Sequence, residues 1–231
     1  MPSRALQTLF RFSLGKVRRP RPRPVKLAQR GASRPGPGVG EVEGGGVGSE
    51  ADDAVATMEA DRAALERATL QLQSPNAAAR AEAEKHLLSL QTLPVERLFD
   101  LVVVVLGSTR DVGTRFHGVQ ALRTSAVDKF AAIAPQTKLQ LRDWAVESAL
   151  SQRDEVVRSQ LLALCAVLVK RSFLEQQLEE KQDFFSRLRQ HCGQDLFKTQ
   201  VELELMQGIV SEFSHETASS IGMPFCLPPR V

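Results

Sequence analysis

Four apolar-periodic stretches begin near residues 75, 111, 155 and 195, at intervals of 36 to 44 residues. A chain with such a period repeats one supersecondary unit, and each unit must stack on its neighbours because it cannot bury its apolar face alone. The third stretch, residues 154–171 with the sequence DEVVRSQLLALCAVLVKR, is the most explicit. Asp154 offers an N-cap oxygen, and Glu155 sets negative charge in the first turn, where backbone amides lack partners. Val157, Leu161, Leu164, Cys165, Leu168 and Val169 recur at three- and four-residue steps, and Leu162, Ala166 and Val167 widen the apolar surface beyond one stripe. A helix of this kind is buried on most sides. Lys170 and Arg171 close it as cations suited to the negative helix end.

Seven further helices are expected around it. The first spans 58–73, with Leu65, Ala68 and Leu72 on one side. The second runs to 91 and opens at Ser74-Pro75, an N-cap followed by proline at the first helical position. Thr92 and Pro94 restart the pattern for a third helix through Leu98, Leu101, Val102 and Val105, ended by Gly107. Asp111 caps a fourth, which carries Phe116, Val119, Leu122 and Ala126 to 127. A fifth covers 136–152 with Leu139, Leu141, Trp144, Ala145 and Leu150, and Trp144 is read as a core residue between repeats. A seventh at 180–192 carries Phe184, Phe185 and Leu188 and ends at Gly193. Asp195 begins the eighth, through Leu196, Val201, Leu205, Ile209 and Val210 to 213. The period fits HEAT or armadillo repeats and not the 33 to 34 residues of ankyrin or TPR. The expected fold is therefore all-α, an α-α superhelix of four HEAT-like helix pairs whose second helices line the concave face.

Charge divides the chain. Residues 1–50 hold ten Lys or Arg against three Glu, while the remainder holds twenty basic against twenty-four acidic residues, so the pI of 8.9 comes from the tail. No nucleic-acid groove is implied for the repeats. Leu6, Leu9, Phe10 and Leu14 with Arg4, Arg11 and Lys16 resemble the amphipathic basic helix of a mitochondrial presequence. The following RRPRPRPVK and the Gly/Pro run of residues 35–48 read instead as a disordered extension or as a nuclear-localisation-like basic patch. The glycines form no complete GxGxxG. Residues 1–56 are thus expected as a disordered extension, 57–215 as the repeats, and 216–231 as a terminal loop at a point of truncation. No apolar run, the one at residues 101–106 included, approaches the roughly 20 residues a membrane helix needs, so no membrane insertion is expected.

No catalytic, cofactor-binding or metal-ligating constellation emerges, and no enzyme is expected. His86, His117, His191 and His215 are widely separated, with neither HExxH nor Cys at ligand spacing. Cys165, Cys192 and Cys226 are odd in number and show no CxxC, which fits a reducing compartment better than a disulfide framework. His191-Cys192 are sequence neighbours, which does not make a nucleophile and base pair. Glu179-Glu180 and Glu202 with Glu204 read as solvated helix faces.

Residues 142–175, RDWAVESALSQRDEVVRSQLLALCAVLVKRSFLE, resemble the third repeat of the karyopherin-β (importin-β) nuclear transport receptors, in which a VR-x-Q-x-x-L…A-x-x-x-KR-x-W-like helix occurs. The likeness extends to IVSEFSHETASSIGMPF at 209–225 and, more loosely, to RAEAEKHLLSLQ at 80–91, and covers residues 58–225. Phe173 stands where the family often has Trp, and the basic tail has no counterpart. Membership of the exportins in that family implies N-terminal repeats that wrap the GTPase Ran in its GTP form. It also implies repeats that hold protein cargo, contacts with nucleoporins, and shuttling between nucleus and cytoplasm. Such receptors contain far more repeats, so the resemblance implies an N-terminal fragment whose eighth helix exposes Leu205 and Ile209. A Ran surface would lie on the second helices at 75–91, 111–127 and 155–171, where Arg80, Lys85, Arg115, Arg123 and Arg158 look exposed; no family motif maps onto them, so the Ran-contact residues stay unassigned. The alternatives are a generic HEAT-repeat scaffold mediating protein-protein interactions and, if the tail is a presequence, a mitochondrial location.

Overall fold

The computed structural model describes residues 49–191 and 195–214, and these are helical throughout apart from short connections, with no strand among them. The helices are α1 (Ser49–Leu72), α2 (Ala77–Leu90), α3 (Val95–Ser108), α4 (Val112–Asp128), α5 (Pro135–Ser151), α6 (Glu155–Ser172), α7 (Leu178–His191) and α8 (Leu196–Ser214), with a 3-10 turn at Phe130–Ala132. The expected helical repeat architecture is present. Residues 1–48 and 215–231, with the tail and the terminal loop, lie outside the described residues, as do Cys192, Gly193, His215 and Cys226.

The described residues from 54 on form one compact unit built from helical hairpins. Within it α3 packs on α4, α5 on α6 and α7 on α8, while the second helices stack in series, α2 on α4, α4 on α6 and α6 on α8. This pattern is that of a repeat stack, in which each unit touches its neighbours. The central position belongs to α6, of whose eighteen residues twelve are buried, including Val157, Leu161, Leu164, Cys165 and Leu168. Its nearly all-round apolar surface has a physical reason, since α4, α5 and α8 cover it from three directions. At the amino-terminal side, Gly118 of α4 admits α1 and α3 together: a methyl there would lie 3.6 Å from Leu65 Cδ2 and 3.7 Å from Val102 Cγ2. Phe99 of α3 and Trp144 of α5 meet edge to face with ring centres 5.0 Å apart, which places Trp144 between repeats as expected, though half-buried and not in the core.

Several helix ends differ from expectation. The first helix starts at Ser49, so residues 49–56, assigned by composition to the extension, are helical; the last glycine of the run is Gly48, and Glu50, Asp52 and Asp53 suit a helix start. Asn76, not Ser74, caps α2, its Oδ1 accepting from Ala78 N at 2.9 Å, so Pro75 precedes the cap instead of occupying the first turn. Gly107 does not end α3, which runs to Ser108 and is closed by Thr109 N donating to Val105 O. The seventh helix begins at Leu178 rather than 180. The aspartate caps at 111 and 154 stand as read, Asp111 Oδ2 accepting from Thr114 N at 2.6 Å and Asp154 Oδ1 from Val156 N at 3.0 Å, and Asp195, read as the start of the eighth helix, caps it by accepting from Phe197 N at 2.9 Å.

Candidate functional site

The first three second helices carry arginine at a fixed distance from their caps. Asn76 is followed by Arg80, Asp111 by Arg115 and Asp154 by Arg158, each four residues on. One helical turn brings that side chain back over the preceding loop. Arg80 Nη1 donates to the carbonyls of Ser74 and Pro75 at 2.8 and 3.0 Å, and Arg115 Nε to that of Thr109 at 2.7 Å. In α6 the same position turns forward. Arg158 Nε donates to Glu204 Oε2 of α8 at 3.1 Å, and its guanidinium lies 5.4 Å from the centre of the Phe197 ring.

The expected exposed cation row is therefore corrected. Arg158 is only 5% exposed and serves the α6–α8 interface, because Glu204 and Phe197 reach it from a helix 46 residues away in sequence. Arg80 and Arg115 are half-buried and spend their donors on loop carbonyls. Lys85 is exposed and Arg123 half-buried, and neither engages a carboxylate among the described residues. Of the five, these two remain available to a partner.

Further cations are paired where repeats three and four meet, Lys138, Arg142 and Lys170 buried and Arg187 exposed. Lys138 of α5 holds Glu175 at 2.7 Å and sits 4.0 Å from the Phe130 ring centre. Arg142 pairs with Asp143 at 2.7 Å and stacks 4.5 Å from Phe184 of α7. Arg187 of α7 reaches Asp143 at 3.0 Å, and Lys170 of α6 reaches Glu212 of α8 at 3.6 Å. The helix-end role read for Lys170 is thus secondary to an inter-repeat pair. Glu202 and Glu204 are likewise not on a solvated face: Glu202 is buried, and Glu204 is held by Arg158 and by Gln200 Nε2 at 2.8 Å. Burial raises the Glu204 carboxyl, but hydrogen bonds from Arg158 and Gln200 and the Arg158 charge outweigh it and hold it below the ordinary glutamate range.

Leu205 and Ile209 are buried as well, against α6, contrary to the expected exposure. The opposite face of α8 carries the exposed apolar residues, with Leu203 at 64% and Val210 at 59%. Leu203 and Leu205 stand two residues apart, about half a turn, so periodicity alone did not say which faced inward.

Reactive chemistry has little footing among the described residues. Cys165 is fully enclosed, and burial, assisted by Asp143 and opposed by Arg142, pushes its thiol up to about 12, so it stays protonated and inert. His86 and His117 share no ligand cluster, and no group of three His, Cys, Asp or Glu is placed to hold a metal. A cleft of about 140 Å³ between α5 and α7, lined by Asp143, Val146, Glu147, Phe184, Arg187, Leu188 and Gln190, is smaller than the roughly 300 Å³ at which ligand pockets begin. No described helix is long and apolar enough to cross a membrane.

Against protein-family models, curated proteins and solved structures, the chain finds no match.

Proposed function

We propose that this chain is the N-terminal portion of a nuclear export receptor of the karyopherin-β family, resembling exportin four, which binds Ran in its GTP form together with protein cargo for passage through the nuclear pore. The observation that carries the reading is α6. Its sequence VRSQLLALCAVLVKR resembles the third-repeat helix of those receptors, and it occupies the third place in the series of stacked second helices. The SEFS segment, which likewise resembles these receptors, begins within the following second helix, α8. Such a receptor works by binding linkage, in which Ran and cargo raise each other's affinity and hydrolysis on Ran releases both. Nucleoporins would be further partners, and the protein would shuttle between nucleus and cytoplasm. No chemistry is asked of the chain itself.

A second reading, a HEAT-type scaffold joining other proteins, is favoured by the use of Arg80, Arg115 and Arg158 within the fold, which leaves only Lys85 and Arg123 of the five candidate cations for an anionic partner. A pull-down with Ran loaded with GTP or GDP separates the two. Retention of the GTP form alone supports the receptor; equal retention of both forms, or of neither, supports the scaffold.

A further inference from the structure

The face of α8 turned away from α6 carries Leu196, Leu203 and Val210 at seven-residue steps, with Met206 beside them, and all four are exposed. Among the described residues, no other helix exposes more than two large apolar side chains. Seven residues are just under two turns, so the three stand in one line along a helix of 19 residues. Their exposed neighbours Gln200, Gln207, Ser211 and Ser214 are polar but uncharged, and Asp195 at the cap is the one exposed charge among the described residues of this helix and its cap. The other charges of α8 lie off this face: Glu202 is buried, Lys198 is half-buried, and Glu204 and Glu212 turn to Arg158 and Lys170 of α6. In α7, by contrast, Glu179, Glu180, Asp183, Arg187 and Arg189 are exposed, as on an ordinary solvated helix.

We propose that this face of α8 is an interface between two copies of the chain, whose α8 helices pack antiparallel across a two-fold axis at Leu203. A contiguous exposed apolar patch marks an interaction surface, and a stripe repeating every seven residues is what paired helices use. Symmetry selects the occupant. A two-fold interface brings one patch against itself, so a charge near the axis would face its like, and a face without charge escapes that repulsion. Leu196 and Val210 each stand seven residues from Leu203, so with the axis there Leu203 meets its counterpart and Leu196 meets the copy's Val210. Apolar positions therefore coincide along the whole stripe, and the helix dipoles oppose each other. The amides of Gln200 and Gln207 both donate and accept, which suits them to a second copy of the same face. The inference does not depend on the receptor reading.

Sedimentation velocity of the full chain, under reducing conditions that exclude disulfide-linked species and from about 5 to about 200 µM, tests it. The mean mass is expected to rise from one chain toward two. Leu203→Glu alters an exposed side chain and sets like charges against each other at the axis, so it is expected to weaken association at least about tenfold without lowering the thermal unfolding temperature of the monomer. Leu88→Glu, at a comparably exposed leucine on α2, is expected to leave association unchanged. Leu196→Lys and Val210→Glu are each expected to weaken it. The double variant is expected to regain at least about threefold over either, because antiparallel pairing sets the new lysine against the new glutamate, whereas parallel pairing sets like charges together. A chain monomeric throughout, which would leave the face to residues 215–231 or to another protein, overturns the proposal. So does association that survives Leu203→Glu, equal weakening by Leu88→Glu, or a double variant no tighter than the single ones.

Discussion

Arg158 of α6 and Glu204 of α8 meet across the interface between the third and fourth repeats, the guanidinium almost fully buried and the carboxylate about one third exposed. Removing one partner of a fully buried pair costs about 3–5 kcal/mol, and the open side of Glu204 admits water that lowers this. Glu204→Gln is therefore expected to cost about 1–2 kcal/mol in urea unfolding at pH 7, with the Arg158→Met/Glu204→Gln double variant less destabilised than the single costs would add to. Because the folded Glu204 carboxyl lies below its ordinary value, this stability is fully present above the unfolded glutamate range and is lost as pH falls through the folded value. The difference between wild type and Glu204→Gln should accordingly shrink on acidification.

Asp100 titrates in the opposite sense. Burial raises its carboxyl above the usual aspartate range, and Glu96, one turn earlier, raises it further. A carboxyl with a raised folded value opposes folding while ionised, and the penalty is relieved as pH falls through that value. Asp100→Asn is expected to stabilise by about 0.5 kcal/mol at pH 7, the scale of a like-charge pair one turn apart, with no gain in acid. A loss at pH 7 in thermal unfolding would contradict this.

Two glycines of α4 should respond oppositely to one methyl group. At Gly118 the added carbon meets Leu65 and two valines at ordinary contact distance, so Gly118→Ala is expected to stabilise by about 0.5–1 kcal/mol through helix propensity. At Gly113 it would lie 2.9 Å from Thr69 Cγ2, and Thr69 is buried with its hydroxyl donating to Leu65 O at 3.0 Å. The methyl cannot swing aside without disturbing that bond. Gly113→Ala is expected to destabilise by about 1 kcal/mol or more, and denaturant melts of the two variants check the contrast.

The centre of the stack should be the least tolerant of truncation. Leu161 is fully buried in α6, and Leu161→Ala is expected to cost about 3–5 kcal/mol. Asp154→Ala, which removes the oxygen accepting from Val156 N and Val157 N, is expected to cost about 1 kcal/mol, and Asp154→Asn much less. Chemical denaturation of the three variants tests that ordering.

What was legible in the sequence is what one helix decides for itself. The order of the eight helices, the aspartate caps at 111, 154 and 195, and the burial of α6 follow from local propensity, capping and period. The second-helix starts at Ala77, Val112, Glu155 and Leu196 each fall within two residues of the expected positions. The misplaced features depend on residues distant in sequence. Arg158 looks like any exposed helix arginine until Glu204 and Phe197 are brought to it, and Leu205 and Leu203 exchange roles according to which side α6 covers. The arginine four residues after the first three second-helix caps was readable as a spacing, yet its loop-stapling use in α2 and α4 and its forward turn in α6 were not.

The central functional claim rests on nucleotide-dependent recognition of Ran. Titration of the full chain with Ran, loaded either with a non-hydrolysable GTP analogue or with GDP, measures it most directly. At least about tenfold tighter binding of the GTP form is expected, weakened by Lys85→Glu or Arg123→Glu without change in thermal stability. Equal affinity for the two forms, or no binding to either, would contradict the account.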